Sequence, residues 1–172
     1  MRQGSSAGII GVRDESFEQG ENPIMSIFPT KILLATDGSE EAQLAATTAA
    51  DLAEETDSEL HVLTVGPDFP LYELTEHPAD FEDVLRKNRR EAKEVLEQQA
   101  KRIEQSGATV KETHLREGPA AEEEIVEVAE ELGAGMIVMG SRGHGRLRRA
   151  LLGSVSDAVV RHAHCPVTIV RE

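Results

Sequence analysis

The chain is short of cysteine, of basic residues and of long apolar runs. Its one cysteine, Cys165, excludes an intrachain disulfide framework. No run approaches the ~18 consecutive apolar residues that a membrane-spanning helix needs. The Ile9-Ile10 pair is too short for a signal-peptide core. Lys and Arg number 18 against 32 Asp and Glu, a formal net charge of -14. That balance argues against generic binding to nucleic acid or an anionic membrane and favours solubility. A cytoplasmic location is the expectation. The length, 172 residues, suits one domain with a sizeable core. Internal repeats are absent, and so is any Gly-Lys-Ser/Thr step of the kind that marks a Walker loop.

Against this acidic background stands Met136 to Val155, MIVMGSRGHGRLRRALLGSV. A short apolar strand over Met136–Met139 opens at Gly140. Gly143 follows, then Gly153-Ser154, where a new helical pattern starts. Glycines let backbone N–H groups approach a phosphate without a Cβ in the way, and a helix start leaves N–H groups free for an anion. Ser154 is expected to cap that helix. Arg142, His144, Arg146, Arg148 and Arg149 make the loop locally basic. Gly143-His144-Gly145 supplies only half of a dinucleotide fingerprint. The stretch reads as a nucleotide phosphate site.

Taken in order, residues 1–28 sustain no period and read as a disordered tail. It is either an upstream extension without a role, with Met25 as the working start, or a partner-binding arm. Lys31–Thr36 is a continuous apolar strand, as expected when both faces are buried. Asp37-Gly38-Ser39 turns it into a helix over Glu40–Thr56, with Ser39 as cap and alanines on one face. Glu59–Val65 is the second strand, and Asp68–Phe81, with Pro67 before it and Pro70 and Pro78 inside it, reads as a loop with room for a short helical turn. A charged helix follows over Glu82–Gln105, its apolar side marked by Val84, Leu85, Ala92, Val95, Leu96, Ala100 and Ile103. The remaining pattern is a strand over Thr109–Arg116, a helix over Ala120–Leu132, the strand before the glycine loop, the helix from Ser154, and a last strand over Pro166–Val170. Five strands separated by helices imply an α/β fold, an open parallel sheet with helices on both faces. Ligands of such sheets bind beyond the carboxyl ends of the strands, where strand order reverses.

Gly140, Gly143, Gly153 and Ser154 stand at the spacing G-x2-G-x9-G-(S/T) in a strand–loop–helix setting. In this the chain resembles the ATP-binding members of the universal stress protein family, over about residues 29–172. The resemblance implies a Rossmann-like, adenine nucleotide alpha hydrolase-like sheet of order 3-2-1-4-5. It also implies an ATP site, with magnesium arriving on the triphosphate. By position, Asp37 matches an acidic residue at the adenosine end, flanked by Ala35 and Thr36. Val65 matches an adenine-packing position. Met139 and Gly140 match the wall near ribose and phosphate, and Gly143, Gly153, Ser154 and Val155 match the phosphate cradle. Arg142 and His144 lie in the same loop. Related proteins dimerise through the last strand, so residues 166–170 are the expected homodimer edge. The tail and Gly135, where relatives often carry aspartate, depart from the pattern.

The expected role is an ATP-dependent stress-response or signalling module with a protein partner that the sequence does not name. Two alternatives stay open: a slow ATPase or phosphoryl or nucleotidyl transferase, and a nucleotide-independent interaction module. No Ser-His-Asp order and no defensible acid–base pair stands out, so no catalytic residue is assigned. His162, His164 and Cys165 could suggest a metal but read as structural. His61 and Thr64 read as packing or edge positions.

Overall fold

The computed structural model describes residues 26–67, 78–144 and 152–172. The expected tail up to residue 25, most of the loop after the second strand, and Arg146, Arg148 and Arg149 lie outside them.

The elements are β1 (Lys31–Ala35), α1 (Glu40–Glu55), β2 (Glu59–Pro67), α2 (Pro78–Gln105), β3 (Val110–Gly118), α3 (Ala121–Leu132), β4 (Met136–Gly140), α4 (Ser154–His162) and β5 (Val167–Val170). The strands form one sheet of order β3-β2-β1-β4-β5, and every pairing is parallel. β1 and β4 are neighbours although α1 to α3 intervene in the chain, which makes the gap between them the switch point of the sheet.

Ile32, Leu33 and Leu34 of β1 are wholly buried, each worth roughly 1.5–3 kcal/mol of burial. Their alternation splits the core in two. Ile32 and Leu34 face a layer built by the alanines of α1 with Leu96 and Ile103 of α2. Leu33 and Ala35 face Ile125, Val128 and Ala129 of α3 and Val159 of α4. Ala42, Ala45, Ala46, Ala49, Ala50 and Ala53 are all buried, so α1 meets the sheet through methyl groups and lies close to it.

Three local expectations change. Helix α2 begins at Pro78, four residues before the predicted start, because proline suits the first turn, where its missing N–H costs nothing. Val84, assigned to the apolar side, is exposed. Ser154 is the first residue of α4 and Gly153 holds the cap position, with no side-chain capping bond. The hydroxyl that organises this turn belongs to Ser156, which donates to the Gly153 carbonyl at 3.0 Å and the Ser141 carbonyl at 2.7 Å.

Candidate functional site

Where β1 and β4 end, the chain leaves the sheet in opposite senses and a cleft of about 360 Å³ opens. Its volume falls within the ~300–1,000 Å³ usual for small-molecule sites. Every predicted site residue lines it: Ala35, Thr36 and Asp37 after β1, Val65 from β2, Met139 and Gly140 from β4, Arg142, Gly143 and His144 from the loop, and Gly153, Ser154 and Val155 at the start of α4. Leu63, Ala121, Ile125, Ala42 and Ser156 complete the wall and were not anticipated. Leu63, Val65, Ala121, Ile125 and Met139 give an apolar surface. Thr36, Asp37 and the glycine-rich backbone give a polar one.

The polar side is tied together from several elements. Thr36 donates its N–H to the Leu63 carbonyl at 2.9 Å, and its hydroxyl accepts from the Gly38 N–H at 3.2 Å. Ser39 caps α1 as expected, accepting from the Ala42 N–H at 3.3 Å, and donates to the Arg142 carbonyl at 3.4 Å. Asp37 reaches into the loop. One carboxylate oxygen accepts from its own turn, the Ser39 N–H at 3.0 Å, and the other accepts from the His144 N–H at 3.2 Å. His144 Nε2 lies 3.0 Å from the Asp37 carbonyl.

Gly143 faces that carboxylate so closely that a Cβ there would overlap Asp37 Oδ2. Gly140 is required for another reason: a Cβ would stand 3.0 Å from the backbone of Glu41 and Ala42, at the head of α1. The first of these glycines serves the loop, the second the packing of helix on strand.

Both ends of the loop converge on Ser141. Its N–H donates to the Val170 carbonyl at 2.7 Å, and its own carbonyl accepts from the Gly153 N–H at 2.8 Å and from the Ser156 hydroxyl. The Glu41 carboxylate, in the first turn of α1, accepts from the Ser141 hydroxyl and the Arg142 guanidinium. Burial alone would raise the Glu41 pKa, but the hydrogen bonds from Ser141 and Arg142 outweigh it and hold the carboxyl below its ordinary value. Glu41, Ser141 and Ser156 gave no sequence signal beyond being polar residues near helix starts. Their roles depend on pairings made across the fold.

The other histidines fall elsewhere. His162 Nδ1 lies 2.9 Å from the Ala158 carbonyl and the residue is exposed, away from the apolar face it was expected to continue. His164 Nε2 lies 3.2 Å from the Ala134 carbonyl. Burial raises the Cys165 thiol pKa, which keeps it protonated and a weak nucleophile.

Comparison with known proteins gives a consistent picture. The model of the Universal stress protein family matches residues 29–171. A universal stress protein of Methanocaldococcus jannaschii is 38% identical over 144 residues, covering 83% of this chain and 82% of its own. Among solved structures, universal stress protein UspA from Lactobacillus plantarum superposes with a TM-score of 0.71 at 26% identity, over 84% of this chain and 99% of that one. The universal stress protein from Archaeoglobus fulgidus in complex with dAMP gives 0.60 at 27%, over 85% of this chain and 100% of that one.

Proposed function

Because the chain belongs to the universal stress protein family, we propose that its cleft binds ATP with magnesium and that bound nucleotide sets the state of a signalling surface. The observation that carries the reading is the division of the cleft into an apolar wall and a backbone-rich loop leading to a helix N-terminus. The adenine ring suits the wall of Val65, Leu63 and Ile125. The phosphates suit Gly143, Gly153, Ser154 and Val155, where first-turn N–H groups of α4 attract anions. A nucleotide bound to a relative, dAMP in the Archaeoglobus fulgidus protein, supports the class of ligand. The Asp37 carboxylate is itself an anion beside the loop. With nucleotide present it turns from the His144 N–H toward the adenosine end, where ribose hydroxyls can donate to it. Magnesium arriving on the triphosphate would offset the phosphate charge.

Hydrolysis would need a positioned water and a base. His144 is held against the Asp37 backbone, and the reading is of a nucleotide-binding protein, located in the cytoplasm, rather than a hydrolase. The glycine loop would meet a protein partner, and a second copy of the chain would join at β5. The Pro166 and Val170 carbonyls accept from the Ile137 and Ser141 N–H groups, so Val167 and Ile169 turn their backbone groups to the outer edge.

Mass spectrometry of small molecules released from gently purified protein, with calorimetric titration by Mg-ATP, tests the proposal. ATP recovered from the protein and saturable binding at one site are expected. Release of ADP with phosphate on incubation would replace the binding role by a hydrolase. Failure of all adenine nucleotides to bind would leave a nucleotide-independent interaction module.

A further inference from the structure

His61 lies on β2, beneath the cleft, on the sheet face that α3 and α4 cover, and only 3% of it is exposed. A buried imidazole has two ring nitrogens to satisfy. Nδ1 of His61 faces Nε2 of His114, on β3, at 3.2 Å, with the rings stacked at a centroid distance of 5.4 Å. Nε2 of His61 has no hydrogen-bond partner and points at the Glu59 carboxylate from 3.6 Å. The Glu112 carboxylate, in register with His61, stands 3.9 Å from His114 Nε2. Two imidazole nitrogens and one carboxylate oxygen thus converge, all within 4.8 Å of one another.

We propose that His61, His114 and Glu112 form a binding site for a divalent transition-metal ion of the zinc type, bridging β3 to β2. Two nitrogens bound to zinc at ~2.0–2.1 Å in a tetrahedron are about 3.3 Å apart, close to the spacing found. Glu59 supplies the outer carboxylate that takes the Nε2–H of His61, which directs the Nδ1 lone pair at the ion. The surrounding charge favours a cation. Glu59, Glu112 and Glu131 face this corner against Lys111, paired with Glu59, and Arg116, paired with Glu131. Glu112 is largely exposed, so its carboxylate can swing onto the ion, and the fourth position is open to water. None of these residues lines the nucleotide cleft, and the site stands apart from the function proposed for it.

The test uses the full chain, freed of metal by a chelator and titrated with Co2+, then with Zn2+ as competitor. One Co2+ per chain is expected, with the visible absorption of a tetrahedral site that Zn2+ abolishes. His114→Gln and Glu112→Gln should each weaken binding at least ~10-fold, and Glu59→Gln by roughly tenfold. Glu112 is exposed, so its variant keeps the fold even where the histidine variant does not. Absence of Co2+ absorption in the wild type would overturn the site and leave the histidines sharing a proton. Binding that survives Glu112→Gln unchanged, or that vanishes only when His162 or His164 is replaced, would overturn it in favour of surface chelation.

Discussion

The carboxylate of Glu41 holds the guanidinium of Arg142 across 101 positions of chain, while its other oxygen takes the hydroxyl of Ser141. One acidic side chain in the first turn of α1 therefore fixes the point at which β4 becomes the glycine loop.

Replacing Glu41 by Gln should destabilise the fold by about 1–3 kcal/mol at neutral pH, the range for losing hydrogen bonds to a part-buried charged group. The effect depends on acidity in a fixed direction. The folded-state pKa of Glu41 lies below its unfolded value, so its contribution is complete above the ordinary carboxylate range, ~4.3 for glutamate, and disappears as pH falls through the lowered folded value. Urea unfolding of wild type and variant should give a constant difference from pH 7 to 5 and a shrinking one below about pH 4. A gap that stays constant into strong acid would mean that Glu41 acts through shape rather than charge.

Gly140→Val acts on the packing of α1 against β4 as well as on the cleft that Gly140 lines. Its side chain would press on the backbone of Glu41 and Ala42, so a loss of ~1–3 kcal/mol is expected whether or not nucleotide is present. Thermal melting with and without Mg-ATP measures it. An unchanged melting temperature would show that α1 yields easily.

Gly143→Ala addresses the loop itself. The added methyl must displace the Asp37 carboxylate, so Gly143→Ala and Asp37→Ala should be non-additive, with a coupling of at least ~0.5 kcal/mol in stability. Each single variant should also weaken Mg-ATP binding, by roughly tenfold or more for Asp37→Ala if ribose hydroxyls donate to it. Additive stabilities would separate the two residues, and unaltered affinity in both would remove them from the site.

Ser156→Ala deletes the hydroxyl of a buried residue, one that joins the Ser141 and Gly153 carbonyls. A loss of about 1–2 kcal/mol is expected. Amide hydrogen exchange should show the Gly153 N–H, bonded to Ser141, losing protection first. Protection unchanged at Gly153 would place the hold on the loop elsewhere.

The parts of the site legible in the sequence are those whose signals are local. A run such as KILLAT followed by Asp-Gly-Ser reads as strand, turn and capped helix from its own residues, and Asp37 and Ser39 are found where that reading puts them. The glycine spacing likewise brings Gly140, Gly143 and Gly153 to one cleft. Ala121 and Ile125 were not legible, because their part in the wall depends on which helix covers the end of β2. Ser154 was misread as a cap for a related reason. Serine 154 and serine 156 flank one helix start, and the buried carbonyl of Ser141 decides which of them is used. His61 read only as a packing or edge position, and His114 carried no signal of its own. The register of β2 against β3 makes them a cluster.

The carbonyl of Ser141 receives both the Gly153 N–H and the Ser156 hydroxyl, so chain leaving the sheet at Ser141 returns to the same atom at Gly153. The two ends of the span are thus held together at one carbonyl, while Arg142 and His144 within it are tied to Glu41 and Asp37. Lengthening a closed segment is cheap, about 0.6 kcal/mol for each doubling. Added length beyond His144 should therefore cost little and leave sheet and helices in place. A reporter peptide inserted between His144 and Gly153 should leave the fold intact.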